Sequence, residues 1–145
     1  MRVREPLLAR YFADLAHGLG LGDGATASVT FVSPRRIAML KHEHFGVKLE
    51  TDCIAFSVDM GDMPGGVRYL GDMVLCPDVI RQNADELGRD FETEALFVFA
   101  HGVLHLLGWD DDTPRRRTAM WKKQEALLAR CRPRGPVFAW GRGAR

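Results

Sequence analysis

At 145 residues, with 46% hydrophobic and 27% charged side chains, the chain has the composition of one globular domain able to bury a core without staples. Its longest apolar run, Ala95 to Ala100, falls far short of the roughly 20 residues of a membrane span, and Arg2, Arg4, Glu5, Arg10 and Asp14 interrupt any signal-peptide core. Cys53, Cys76 and Cys131 are odd in number and form no Cys-x-x-Cys pair, so reduced thiols and a cytoplasmic setting are expected. The net charge of +1 hides an asymmetry. Residues 1–113 carry 10 Lys+Arg against 18 Asp+Glu, whereas residues 114–145 carry 10 against the single Glu125. Such a concentration is the footprint of a polyanion partner or of a merely solvated basic face, and charge alone favours neither.

In chain order, Pro6 suits a first helical turn, and Leu7, Leu8, Tyr11, Phe12, Leu15 and Leu19 follow helical spacing, which predicts an amphipathic helix over 5–19. Gly18, Gly20, Gly22 and Gly24 end it. Ala27 to Val32 alternates as a strand. Ser33 and Pro34 form a helix start, with the helix running to His44 or Phe45 and stopping at Gly46. Met39 and Leu40 are expected to face the core, and His42 and His44 to face solvent. Thr51 to Val58 reads as a second strand, and Asp59 to Gly66 as a turn region. Val67 to Leu70 and Asp72 to Leu75 read as two short strands interrupted at Gly71. Pro77 and Asp78 open a helix ending near Gly88. Asp90 caps a long helix through Leu107 that is apolar all round from Ala95 to Ala100, and therefore central and buried. Thr113 and Pro114 start a last helix to about Cys131, with Met120, Ala126, Leu127 and Leu128 on its inner face. The pattern predicts an α+β fold, a small mixed β-sheet packed with helices around one buried central helix. Residues 1–131 would form a single metallohydrolase domain, and residues 132–145, dominated by Pro, Gly and Arg, a basic and weakly ordered tail.

The chemistry concentrates in His-Gly-Val-Leu-His-Leu-Leu-Gly-Trp-Asp-Asp-Asp, residues 101–112. Two histidines four apart share one helix face and can grip one metal ion from adjacent turns. Gly108 is the residue type that ends a helix in a left-handed conformation, and Asp111 lies where the returning chain can offer a third ligand. Asp110 and Asp112 compete for that role. Three protein ligands leave a fourth position for water, the pattern of a catalytic zinc site, and a metal-bound water would be the attacking group. Peptide hydrolysis by the His-Glu-x-x-His mechanism is disfavoured, because the base position is Gly102. RNA fits better, since its 2′-hydroxyl and phosphate supply an internal nucleophile and an anionic handle.

His101-Gly-Val-Leu-His105-Leu-Leu-Gly108-Trp-Asp110 resembles the H-G-x-L-H-L-x-G-Y-D-H hallmark of the YbeY family of bacterial endoribonucleases. Thr51-Asp52-Cys-Ile-Ala-Phe56 is similar to the family's T-D-V-L-S-F, Leu70-Gly71-Asp72-Met-Val-Leu to its L-G-D-I-V-I, and Met120, Glu125 and Leu128 to the M-x4-E-x2-L of its last helix. The resemblance spans about residues 28–130. It implies a zinc-dependent endoribonuclease preferring single strands, acting in small-subunit ribosomal RNA end maturation and ribosome quality control. The implied partners are ribosomal RNA, the small ribosomal subunit and ribosome-associated proteins, and no membrane.

Two positions depart from the family pattern. Asp111 stands at the family's third histidine, which keeps a ligand, adds a negative charge and leans toward harder metals such as manganese. Phe45 stands where many relatives carry an arginine suited to clamping phosphate, with Arg35, Arg36, Lys41 and Lys48 as nearby substitutes. Thr51 and Asp52 either line the cleft or only start a strand, and Asp72 reads as a strand-edge residue. Arg115, Arg116 and Arg117 crowd a helix N-terminus where cations are disfavoured, which makes a recruited anion plausible there. A ribosome-associated factor with a structural metal is the competing reading.

Overall fold

The computed structural model describes residues 1–58 and 64–141. Its elements are β1 (Arg2–Val3), α1 (Glu5–Gly18), β2 (Ala25–Phe31), α2 (Pro34–Phe45), β3 (Cys53–Ser57), β4 (Arg68–Leu75), α3 (Pro77–Leu87), α4 (Phe91–Leu106), α5 (Pro114–Arg130) and β5 (Phe138–Ala139). The helix starts follow local capping chemistry. Ser33, Asp90 and Thr113 each accept a hydrogen bond from the amide three residues on, at Arg36, Thr93 and Arg116, which satisfies an otherwise orphaned first-turn donor. Gly46 and Gly88 take the left-handed conformation that ends α2 and α3.

The main sheet is mixed, as expected, in the order β2-β4-β3, with β2 parallel and β3 antiparallel to β4. The two short strands expected on either side of Gly71 are instead one continuous strand, β4. Against β2, its register slips between the pairs Thr26↔Tyr69 and Ser28↔Asp72, so that two residues, Leu70 and Gly71, oppose the single Ala27. That bulge explains why Leu70 and Met73, an odd number of residues apart, both join the core cluster built on α4. Only glycine fits there. Gly71 has φ 141°, and a Cβ would sit 2.0 Å from the Phe56 carbonyl oxygen. Asp72, next in β4, accepts from the Ser28 and Tyr69 hydroxyls, which hold its carboxyl below the usual range.

The sheet lies between two layers. One face of β3 and β4, with Cys53, Ala55, Met73 and Leu75, packs on α4. The other, with Ile54 and Val74, packs on Ile37 of α2. Helix α4 buries ten of its residues, including Val98, Phe99, Val103 and Leu104, and is the central element. Its close approach to the sheet requires Gly102, where a Cβ would fall 2.6 Å from Met73 Sδ and 3.1 Å from Cys53 Sγ. Two expected inner positions face outward. Met39 is exposed because Ile37 and Ala38 take the sheet-facing side of α2, and Ala126 is exposed because Gln124 and Leu127 take the side of α5 that packs on α4 and α1.

Residues 132–141 are not a loose tail. β5 pairs antiparallel with β1, Val137 and Phe138 are buried, and the Glu92 carboxylate accepts from the amides of both. Two apolar side chains and a two-pronged backbone anchor outweigh the Pro, Gly and Arg around them. Residues 142–145, and the 59–63 part of the expected turn, lie outside the described residues. Among the described residues no helix is long and apolar enough to cross a membrane.

Candidate metal centre

The last two turns of α4 carry His101 and His105 on one face. The turn after them reverses the chain. The Trp109 amide donates to the Leu104 carbonyl and the Gly108 amide to that of His105, both at 3.0 Å, with Gly108 at φ 90°. This paired-bond helix ending satisfies two terminal carbonyls and swings Asp111 back over the histidines. The Ser57 hydroxyl also donates to the His105 carbonyl, at 3.2 Å, tying the helix end to β3.

The three side chains converge. His101 Nε2 and His105 Nε2 are 2.9 Å apart, and Asp111 Oδ2 lies 3.5 Å from the first and 3.8 Å from the second. The corners of such a triangle lie about 2.0 Å from a shared centre, the length of zinc–imidazole and zinc–carboxylate bonds. The outer partners set the ring tautomers. His105 Nδ1 faces the Trp109 carbonyl oxygen at 3.0 Å, so it must carry a proton and donate. His101 Nδ1 faces Gln124 Oε1 at 3.1 Å, and the Gln124 amide nitrogen donates to the Phe97 carbonyl at 2.7 Å, which fixes the amide's orientation and makes Nδ1 of His101 the donor. Both Nε2 atoms therefore present lone pairs to one another, an arrangement suited to a cation between them. Burial, and then the neighbouring His101, push the His105 pKa down against the opposing pull of Asp111, the Trp109 carbonyl and Asp110, which keeps its ring neutral and ready to ligate.

The neighbouring aspartates are otherwise engaged. Arg116 Nη1 lies 3.1 and 3.3 Å from the Asp112 oxygens and 3.9 Å from Asp110, and Asp110 Oδ1 accepts from the Asp111 amide. Among the described residues the one His/Cys/Asp/Glu group able to hold a metal ion is His101, His105 and Asp111.

The centre opens into a cleft of about 460 Å³ lined by α2, the start of β3, the end of α4 and the Asp110–Asp111 turn. Thr51 and Asp52 line it. Burial raises the Asp52 pKa, opposed by the positive charge of His101 in its protonated form, by the Asp52 and Cys53 amides and by Asn83 Nδ2 at 3.3 Å. Of the basic residues near it in sequence, Lys41 lines the cleft, whereas Arg35, Arg36 and Lys48 are exposed outside that lining. Arg115 and Arg116 are exposed on the first turn of α5, with Arg116 occupied by the aspartates. Sequence reasoning did not single out Gln124, Asn83 or the Trp109 carbonyl. The apolar pattern around Gln124 marks a core position, and a buried amide there is the one available signal.

The family model described as Endoribonuclease YbeY matches residues 5–132. A relative named Endoribonuclease YbeY from Symbiobacterium thermophilum is 42% identical over 117 residues, covering 77% of this chain and 75% of the relative. One of the same name from Pelotomaculum thermopropionicum is 34% identical over 127 residues, covering 86% and 84%. The solution structure of a Thermotoga maritima protein superposes with a TM-score of 0.59 at 28% identity, covering 88% of this chain and 82% of that one.

Proposed function

Because the chain belongs to the YbeY endoribonuclease family, we propose that it is a zinc-dependent endoribonuclease cutting single-stranded RNA, with small-subunit ribosomal RNA maturation and ribosome quality control as its setting. The observation that carries this reading is the convergence of two imidazole lone pairs and one carboxylate at a cleft wall. Three protein ligands with an open side are the pattern of catalytic rather than structural zinc, and the carboxylate also suits manganese. His101, His105 and Asp111 would hold the ion, while Gln124 and the Trp109 carbonyl keep both rings turned toward it.

A bound divalent ion supplies Lewis acidity toward a phosphoryl oxygen. The chain's own residues do the rest. Gly102 denies α4 the glutamate base of metallopeptidases, and its contact with Met73 leaves no room to install one. The nucleophile is then the substrate's own 2′-hydroxyl in place of the metal-bound water expected from the motif: its oxygen bonds to the adjacent phosphorus as the bond to the 5′-oxygen breaks, which leaves a 2′,3′-cyclic phosphate and a 5′-hydroxyl that takes its proton from solvent. Asp52, a cleft carboxyl whose proton affinity is raised by burial, suits the task of taking the proton from that 2′-hydroxyl. Thr51 and Lys41 contact the strand in the cleft. Arg35, Arg36, Lys48 and Arg115 serve as outlying phosphate contacts, joined by Arg116 when a phosphate displaces Asp112 from it, and engage the small ribosomal subunit and its RNA.

The test combines elemental analysis with cleavage of ribosomal RNA fragments by the wild type and by His105→Ala, Asp110→Ala, Asp111→Ala and Asp112→Ala. One ion per chain and RNA cleavage are expected, with both lost in His105→Ala and Asp111→Ala and metal retained in the other two. Metal retained in Asp111→Ala, or chelator-sensitive peptidase activity abolished by His105→Ala, would overturn the assignment.

A further inference from the structure

We propose that Phe45 is a stacking shelf for one unpaired base of the RNA strand, set beside the metal centre; the inference rests on the endoribonuclease reading above. Phe45 is the last residue of α2, and Lys41 lies one turn earlier on the same face. Both line the cleft together with His101, His105 and Asp111. The ring is 57% exposed, yet it is not loose. It lies nearly parallel to Phe56, with centroids 6.2 Å apart and planes inclined by 13°, and His44 packs on the same Phe56 ring at 4.7 Å. Phe56 in turn rests against the buried cluster of Ile37, Ile54, Val74 and Cys76. An aromatic ring is thus held in a set orientation at a cleft wall with much of its surface left open.

The chemistry of the surroundings selects the occupant. A hydrophobic peptide would find Cys53, Ile54 and Ala55 in the lining, but would have to desolvate Lys41, Thr51, Asp52, two histidines and two further aspartates to reach them. A nucleotide satisfies both halves of the surface, with its base face on Phe45 and its phosphate at Lys41, the single Lys or Arg among the described lining residues. Stacking needs an open base face, which a duplex does not offer, so the shelf selects unpaired strands without reading sequence.

The experiment uses the metal-loaded full chain and a single-stranded RNA octamer with 2′-fluoro sugars, which keeps bases and phosphates and lacks the nucleophile. Affinity is measured for the wild type, Phe45→Ala, Phe45→Leu, Phe45→Trp and Lys41→Ala across a salt series, with an abasic site moved along the octamer. Phe45→Ala is expected to bind about ten-fold more weakly, within the roughly 5–150-fold range of lost base stacking. Phe45→Leu should bind as weakly as Phe45→Ala, and Phe45→Trp at least as tightly as the wild type. The salt slope should be unchanged in the Phe45 variants and shallower by about 0.7 in Lys41→Ala. One abasic position should weaken the wild type but not Phe45→Ala, the coupling expected of a direct contact. Unaltered affinity in Phe45→Ala, or wild-type affinity in Phe45→Leu, overturns the proposal. So does a concentration-dependent dimer that only the Phe45 variants lose while RNA affinity holds, which assigns the ring to a second copy. Cleavage of unmodified RNA, run in parallel, separates the two failures: wild-type cleavage with unaltered Phe45→Ala binding sinks the shelf alone, and no cleavage or binding by any variant sinks both.

Discussion

Replacing Gln124 with leucine is expected to weaken metal binding by between ten- and a hundred-fold while leaving the fold in place. Leucine is similar in volume and apolar, so a side chain now 1% exposed between Met120 and Leu127 on α5 keeps its packing. What disappears is the acceptor 3.1 Å from His101 Nδ1, together with the amide donor to the Phe97 carbonyl, which costs some stability as well. The ring then either keeps an unpartnered N–H in a partly buried place, at about 1–3 kcal/mol, or moves the proton to Nε2 and turns a donor toward the ion. At about 1.4 kcal/mol per decade, that cost corresponds to roughly 5–150-fold in affinity, and outer partners of metal-bound histidines in general contribute about 10–100-fold. Gln124→Glu keeps the acceptor and makes the imidazole a more basic ligand, so it should restore affinity while losing the bond to the Phe97 carbonyl and some stability. Competition against a chromophoric chelator gives the affinities, and thermal unfolding of the metal-free proteins gives the fold. Gln124→Leu binding metal within two-fold of the wild type would refute the idea that this amide sets the tautomer.

Gly102→Ala should cost about 1–3 kcal/mol in urea unfolding, because its Cβ would lie 2.6 Å from the fully buried Met73 sulfur; an unchanged midpoint would mean that α4 can lift from β4 without cost. Removing residues 132–145 exposes the sites of Val137 and Phe138, each worth about 1.5–3 kcal/mol, and strips the Glu92 carboxylate of both donors. The truncated chain should therefore melt well below the full one in calorimetry, and equal melting temperatures would deny the segment its structural role. The folded His105 pKa lies below its unfolded value, so the unfolded chain binds the proton more tightly. Its contribution to stability is present above the unfolded pKa of about 6.5 and is lost as pH falls through the depressed folded value. In metal-free protein the unfolding free energy should fall on acidification from pH 7 to 5 by less in His105→Gln than in the wild type, and parallel pH profiles would contradict the assignment.

The parts legible in the sequence are those whose physics is local. Ser33 with Pro34 and Gly46 bracket α2 to the residue, and Asp90 and Thr113 do the same for the starts of α4 and α5, because caps act within three residues. The histidine spacing with Gly108 and Asp111 is legible for the same reason, since one helix face and one turn bring all three together. Gly71 misleads because a glycine that breaks a strand and one that bulges it look alike until Ala27 and Phe56 are beside it. The pairing of Arg2 with Ala139 spans nearly the whole chain, and nothing near Phe138 announces its partner. Met39 and Ala126 lie outward because tertiary contacts, with the sheet for α2 and with α4 and α1 for α5, decide which way a helix is rolled, and periodicity alone does not. Gln124 acts on His101 from 23 residues away, and the Trp109 carbonyl acts locally but through backbone, whose side chain is immaterial and leaves no mark in the sequence.

The two imidazole nitrogens that meet at 2.9 Å are aimed at one point by contacts made elsewhere in the folded chain. Packing of α4 and the two outer hydrogen bonds set the direction of both rings, so the geometry belongs to the fold and not to either side chain alone. A cation bound there would freeze few rotamers that the fold has not set already, whereas ligands on mobile side chains would lose that freedom on binding. Ion capture and folding are then two readings of one equilibrium. An ion that binds only the folded chain adds about 2.7 kcal/mol when its free concentration is a hundred times its dissociation constant. Metal scarcity would therefore thin the population of folded molecules as well as emptying their sites, and the amount of this protein in a cell would follow its metal supply.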